Sequence, residues 1–142
     1  MLVRCLYASR AAAGTGGAIL DEILAQSRRN NPAKGITGML CVSNDVFIQL
    51  LEGGRDEVCD LYNAIVRDTR HEHVRLLAYD EINQRQFGNW TMGRVDLARV
   101  NPSVLLKYFK RAELDPFNAP GSATLSLLGE LVASASIVGR GE

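Results

Sequence analysis

The sequence predicts an α+β domain, a mixed five-stranded sheet built in the order β-α-β-β-α-β-β, with two helices on one face and two more from the tail on the other. Three observations carry this. The run VFIQLLE (46–52) is apolar at nearly every position, so both faces of that strand must be covered. The segment RDEVCDLYNAIVRD (55–68) places Val58, Leu61, Tyr62, Ile65 and Val66 at i, i+3, i+4, i+7 and i+8, the stripe of a helix that buries one side. Beyond the last strand-like run, the tail holds two further apolar segments, the cover that two helices on one face cannot supply.

Residues 2–9 (LVRCLYAS) alternate as a first strand. A loop of small residues, AAAGTGG (11–17), leads to AILDEILAQSRRN (18–30), where Ile19, Leu20, Ile23 and Leu24 fall at helical spacing. Arg28 and Arg29 occupy its last turn, where cations suit the helix dipole, and Asn30, Asn31 and Pro32 end it. Residues 35–43 (GITGMLCVS) and 46–52 flank the turn signal Asn44-Asp45 and read as a hairpin, which Gly53-Gly54 closes before the helix at 55–68. Residues 74–82 (VRLLAYDEI) form the fourth strand, and after NQRQFGN the run WTMGRV (90–95) forms the fifth. The plan is a split βαβ, or ferredoxin-like, one. Helices at VLLKYFKRAEL (104–114) and ATLSLLGELVASASIV (123–138), separated by a Pro/Gly break, are expected on the opposite face. The chain divides into a core, 1–97, and a helical extension, 98–142.

A chain of 142 residues fits one domain with a short appendage. Its sixteen basic and sixteen acidic side chains cancel, so the balance points to neither a nucleic acid nor a membrane surface as partner. No apolar run approaches the roughly 20 residues that span a bilayer, and the first residues lack the apolar stretch of a secretion signal. A cytoplasmic protein is expected. Cys5, Cys41 and Cys59 form no CxxC pair, and His71 and His73 add no metal-ligand spacing, so the cysteines read as small buried apolar groups and no metal is expected.

Five residues stand out from a bland core. Gln49 puts a primary amide inside an apolar strand, where its two donors and its acceptor need partners. A glutamine bonded to a neighbouring strand's backbone would satisfy it, and so would a ligand. Tyr7 shares a strand face with Val3 and Cys5, as core tyrosines do with the hydroxyl at the rim. Asn31 at a helix end reads as a cap. Trp90 and Met92, two apart and hence on one side of the last strand, are ordinary core material. Taken singly, each is accommodated by structure.

Together, the strings CLYAS, NNPAKGITGMLCVSNDVFIQLLEG, RDTRHEHV and FGNWTMG, in this order and spacing, resemble the BLUF family, blue-light sensors that use FAD, over residues 2 to about 95. The resemblance implies a flavin held between the two helices, over the sheet. It implies that Tyr7 is the phenol facing the flavin, that Gln49 is the amide between them, and that Asn31 holds the ring's polar edge, with Asn30 beside it. Asp68, Arg70 and His71 are implied at the far polar side, and Ile65 against the ring. Trp90 and Met92 fall at the two positions that compete in the family for the place beside the glutamine. A light-driven electron and proton transfer from Tyr7, followed by a new hydrogen-bond arrangement at Gln49, is the implied photochemistry; no enzyme activity is implied. Since the sequence holds no output domain, the signal is expected to pass to a separate protein partner or through a change in self-association as a homodimer. Two other readings stand beside this one. An acylphosphatase-like hydrolase on the same plan would need an anion-cradling loop with an arginine, yet AAAGTGG has only Arg10 next to it and matches no Walker pattern. A flavin-free interaction module would use sheet and tail only to dimerise.

Overall fold

The structure is a computed structural model that describes residues 1–12, 18–95, 100–134 and 137–140, with the side chains of 18–20 and 137–140 left aside. Strand β3 (Val46–Gly54) lies between β1 (Leu2–Ala11) and β2 (Thr37–Ser43) and is antiparallel to both. Every β3 residue from Val46 to Gly53 is buried, as its unbroken apolar run requires. Outside β1 lies β4 (His71–Ile82), antiparallel; beside β2 runs β5 (Trp90–Val95), parallel. The five predicted strands all stand in the sheet. A sixth, β6 (Ile137–Arg140), pairs antiparallel with β5, giving the order β4-β1-β3-β2-β5-β6.

Local chemistry fixes the hairpin between β2 and β3. Asn44 takes the turn with φ 55°, a left-handed conformation that asparagine tolerates. Gly38 is required by packing: a Cβ there would stand 1.9 Å from the carbonyl oxygen of Leu50. Gly35, at φ 68°, closes the short 3-10 turn Pro32–Lys34, its N–H donating to Pro32 O at 3.1 Å. The two glycines of GITG are therefore a turn closure and a close strand approach.

The pleat sorts side chains to two faces. Val3, Cys5, Tyr7, Leu40, Phe47, Leu51 and Met92 form one apolar cluster with Ile23 and Leu24 of α1 (Ala18–Asn30) and Val58 of α2 (Arg55–Arg67). Leu61, Tyr62 and Ile65 of α2 pack against it, whereas Val66, at the end of the predicted stripe, is half exposed. On the other face, Leu6, Ala8, Met39, Cys41, Ile48 and Leu50 meet Trp90 and the tail residues Leu105, Phe109, Leu114, Leu127, Leu128 and Leu131. The tail thus covers the second face, as expected from β3.

The tail's elements differ from the predicted ones. A helix over 104–114 is replaced by α3 (Pro102–Leu106), started by Pro102 and by Asn101, whose side chain accepts from Ser103 N, and then by turns. Leu105 and Leu114 are nine residues apart, half a rotation out of phase on a helix, and both are buried; only a broken helix lets both face the sheet. The helix predicted over 123–138 is α4 (Gly121–Ala133), where Ser134 Oγ back-bonds to Leu131 O at 3.1 Å. The β-branched pair Ile137-Val138 then enters β6, opposite Val95 and Arg94. An otherwise bare β5 edge would leave a row of backbone groups unpaired, and β6 supplies their partners.

Cys5 and Cys41 are buried, and burial pushes both thiols up to about 12, which leaves them inert. No helix among the described residues is long and apolar enough to cross a membrane.

Candidate functional site

The two helices leave a cleft of about 180 Å³ between them, above β1 and β3. Two helical faces wall it. Ile23, Gln26, Ser27 and Asn30 of α1 follow i, i+3, i+4, i+7, and so do Leu61, Ala64, Ile65 and Asp68 at the end of α2. Tyr7 and Gln49 rise from the sheet as its floor, and Asn31, Lys34, Arg70 and His71 complete the lining. All eight residues expected to hold a cofactor, Tyr7, Asn30, Asn31, Gln49, Ile65, Asp68, Arg70 and His71, therefore meet in one place. Ile23, Gln26, Ser27, Lys34, Leu61 and Ala64 line it as well; the sequence marks Ile23 and Leu61 only as helix-stripe residues and the other four not at all.

Tyr7 and Gln49 are directly opposite one another in the β1·β3 register, and both are buried. The Tyr7 hydroxyl donates to Gln49 Oε1. At its other end, Gln49 Nε2 meets Met92 Sδ at 3.4 Å. Each end of the amide thus has a partner, one strong and one weak. The Tyr7 ring also packs edge-to-face on Tyr62, centroids 5.8 Å apart. Burial, more than any neighbouring charge, raises the Tyr7 phenol far above its ordinary value, so it stays protonated.

Met92 and Trp90 do not share a face, contrary to the period-two expectation. Met92 belongs to the cluster below the cleft and Trp90 to the tail-side cluster. The cause is an irregularity in β5, whose pairing with β6 shifts register between Trp90 and Arg94. Trp90 is thereby removed from the place beside Gln49, and Met92 fills it. Arg28 of α1 holds this stretch from above, its Nη2 donating to Met92 O at 3.2 Å.

The polar far wall is pre-assembled. Asp68 accepts from Arg70 through backbone N at 2.9 Å, Nε at 3.0 Å and Nη2 at 2.6 Å, and these bonds hold its carboxyl below the usual range. Arg70 Nη2 reaches on to Gln26 Oε1 at 2.9 Å and so ties the turn after α2 to α1 across the cleft. His71 Nδ1 lies 2.8 Å from Ser9 Oγ, and its ring stands edge-on to Phe47. Burial lowers the His71 pKa below its ordinary value, which keeps the imidazole neutral near pH 7.

Asn31 carries the clearest sign of a missing partner. It is 2 % exposed, and its Nδ2 makes no hydrogen bond although it is buried. A buried amide donor left unpaired costs about 1–3 kcal/mol. Its backbone ends α1, N–H to Ser27 O at 2.8 Å, while its side chain caps nothing. Apolar walls (Ile23, Leu61, Ile65), an orphan donor, and polar groups at one end fit a flat heteroaromatic ring with carbonyls along an edge. An isoalloxazine is such a ring. The loop that an anion-binding hydrolase would use falls at 11–17, of which 13–17 lie outside the described residues.

The family profile described as BLUF, sensors of blue-light using FAD, matches residues 2–93. Among curated relatives, the blue light- and temperature-regulated antirepressor BluF of Escherichia coli is 35% identical over 78 residues, 55% of this chain and 19% of that protein. The photoactivated adenylate cyclase subunit beta of Euglena gracilis is 33% identical over 92 residues, 64% of this chain and 11% of that one. The chain thus spans a fifth or less of these relatives' length. Solved structures match it nearly end to end. BlsA in its photo-activated state superposes with a TM-score of 0.81 at 28% identity, covering 93% of this chain and 95% of that one. BlrB, described as a BLUF protein in its dark state, gives 0.74 at 27% identity, covering 94% and 96%.

Proposed function

The chain belongs to the BLUF family, the sensors of blue light using FAD, and we propose that it signals by a change in the hydrogen bonds of Gln49 that a separate protein partner reads. FAD is its cofactor. What supports the finer reading is one arrangement: a glutamine buried in an apolar strand, its two amide ends held by Tyr7 and Met92 on the floor of a cleft. When bound, FAD supplies blue-light absorption and, once excited, an oxidant able to take an electron from a phenol.

Tyr7 is proposed to give that electron together with its proton. It is buried and protonated, and its hydroxyl is already committed to the Gln49 carbonyl oxygen, so the proton has a route along the amide. Gln49 converts this into a lasting change. Half a turn of its amide exchanges Nε2 for Oε1 at Tyr7 and reverses the group presented to Met92 and to the cleft. Met92 Sδ accepts only weakly, so the amide is not locked in one sense. The two arrangements form a bistable pair, which is what a switch requires.

Asn31 is proposed to hold the ring's carbonyl edge through its free Nδ2, with Asn30 and Lys34 at the mouth of the cleft. Asp68 and Arg70 fix the far wall, and Ser9 orients the His71 ring beside them. The extension 98–142 is proposed as the output element, because β5 carries Met92 toward Gln49 on one face and Trp90 into the tail cluster on the other. The protein is proposed to be cytoplasmic, to have no enzymatic activity of its own, and to act through a downstream protein or its own dimerisation. Tyr7→Phe and Gln49→Leu proteins should retain FAD and lose the light-induced red shift of its absorption. If either variant kept a full, reversible shift, the assignment of the switch to this pair would fail.

A further inference from the structure

Gln49 shares β3 with a second buried polar residue that takes no part in the cleft. Glu52 lies three positions on, so its side chain leaves the opposite face of the sheet, and it is fully buried. Both oxygens of its carboxylate are engaged. Oε2 accepts from Arg4 Nε at 2.8 Å and from Gln86 N at 3.1 Å, Oε1 accepts from Phe87 N at 2.6 Å, and Arg4 Nη2 stands 2.7 Å from Oε2. Two of these donors are backbone amides in the connection between β4 and β5. Arg85 grips the same connection, donating to Thr37 Oγ1 at 2.9 Å, to Glu52 O at 3.0 Å and to Gly35 O at 2.7 Å. Three residues after Phe87, β5 begins at Trp90.

A buried carboxylate is strongly destabilising unless every lone pair finds a donor. Here the donors it finds, apart from Arg4, are consecutive amides of the one segment that decides where β5 starts. That bond pattern fixes the chain residue by residue, which apolar packing alone does not. It matters because β5 is irregular: Met92 faces the cleft and Trp90 the tail only in one register, and a slip by one residue would turn the other set of side chains inward.

We propose that Glu52 is a positioning residue of the light switch, holding the entry to β5 so that Met92 rather than Trp90 stands against Gln49. The strand bearing the switching amide is thereby tied, through Glu52, to the strand that leads away from it. The inference rests on reading Gln49 as the switch.

The test uses the FAD-loaded protein in the dark and after illumination, as wild type, Glu52→Gln and Arg85→Met. Glutamine keeps the shape of Glu52 but puts an NH2 group in place of one carboxylate oxygen, so that either Phe87 N–H or the donors of Arg4 and Gln86 face a donor instead of an acceptor. Arg85→Met loosens the same segment from a partly exposed position, so it decides the matter if Glu52→Gln does not fold. In the dark, wild type should show a nuclear Overhauser contact between the Met92 methyl and the Gln49 side-chain amide. It should also show slow hydrogen exchange at the indole of Trp90, the sole tryptophan. In the variants the contact should weaken, the indole should exchange faster, and FAD should stay bound, because the cleft lies on the other face. Return to the dark state should slow about fivefold, the factor carried by one lost hydrogen bond. A folded Glu52→Gln protein, or failing that Arg85→Met, in which the contact, the indole exchange and the recovery rate all match wild type overturns the proposal. If the contact is lost in the variant while wild type shows no light response, the positioning role holds and the switch reading of Gln49 is what fails.

Discussion

Replacing Asn31 by alanine separates a ligand-holding role from a structural one. Asn31 Nδ2 is buried with no partner, so in the flavin-free chain the side chain contributes a penalty rather than a bond. Its backbone sits at φ −69°, ψ −35°, ordinary helical space that alanine accepts, and the helix-end bonds are made by main-chain atoms that the substitution leaves in place. A ligand carbonyl that meets Nδ2 removes a penalty of about 1–3 kcal/mol. With about 1.4 kcal/mol per tenfold, Asn31→Ala should weaken FAD binding by about 5- to 150-fold. Asn31→Asp, which keeps the shape and removes the donor, should weaken it at least as much, because a carboxylate would face the ligand's carbonyl. Titration of FAD fluorescence gives the affinities, and thermal melting of the flavin-free proteins gives the stability. The flavin-free Asn31→Ala protein should melt no lower than wild type. An affinity within twofold of wild type would mean that nothing meets Nδ2. A flavin-free variant destabilised by more than about 1 kcal/mol would mean that the side chain has a structural task after all.

Two further outcomes follow from the geometry. Met92→Ala should change the rate of dark recovery, since it removes the Met92 Sδ that meets Gln49 Nε2, whereas Trp90→Phe should leave flavin spectra unchanged and lower stability by about 1–2 kcal/mol in urea unfolding; the opposite pattern would place Trp90, not Met92, at the switch. The buried His71 has a folded pKa below its unfolded value near 6.5, so the unfolded chain binds the extra proton first. Stability should therefore be full above about pH 6.5 and fall as pH drops toward the lowered folded value, and His71→Gln should flatten that part of the curve. Equal urea midpoints at pH 7.5 and 5.5 for wild type would refute the buried neutral imidazole.

Much of this was legible in the chain. The unbroken apolar run at 46–52 required cover on both faces, and the tail provides it. The stripe from Val58 to Ile65 and the breaks at Asn31-Pro32 and Gly53-Gly54 place both helices that wall the cleft. Gln49 stood out because an amide in such a strand must be satisfied, although sequence could not say whether by backbone or by ligand; Tyr7 and Met92 are the answer. Gln26 and Ser27 were legible too, since counting back four and three from Asn30 reaches the same helical face. What escaped depends on pairing between distant segments. Alternation puts Trp90 with Met92, and only the register shift against β6 separates them. Helical spacing in ATLSLLGELV runs on smoothly into ASASIV, yet the open edge of β5 draws Ile137 and Val138 into a strand. Leu105 and Leu114 are out of helical phase, a cue that the first tail segment must break. Glu52 ends the apolar run at 46–52, and nothing local reveals the amides of Gln86 and Phe87 that meet its carboxylate.

Infrared light-minus-dark spectroscopy on FAD-loaded protein, with its glutamine side-chain amides isotopically labelled, reports most directly on whether light rearranges the hydrogen bonds of Gln49. Label-sensitive amide bands should appear on blue illumination, decay in the dark together with the visible red shift, and vanish in Gln49→Leu. A visible shift without any label-sensitive band would mean that the Gln49 amide does not rearrange.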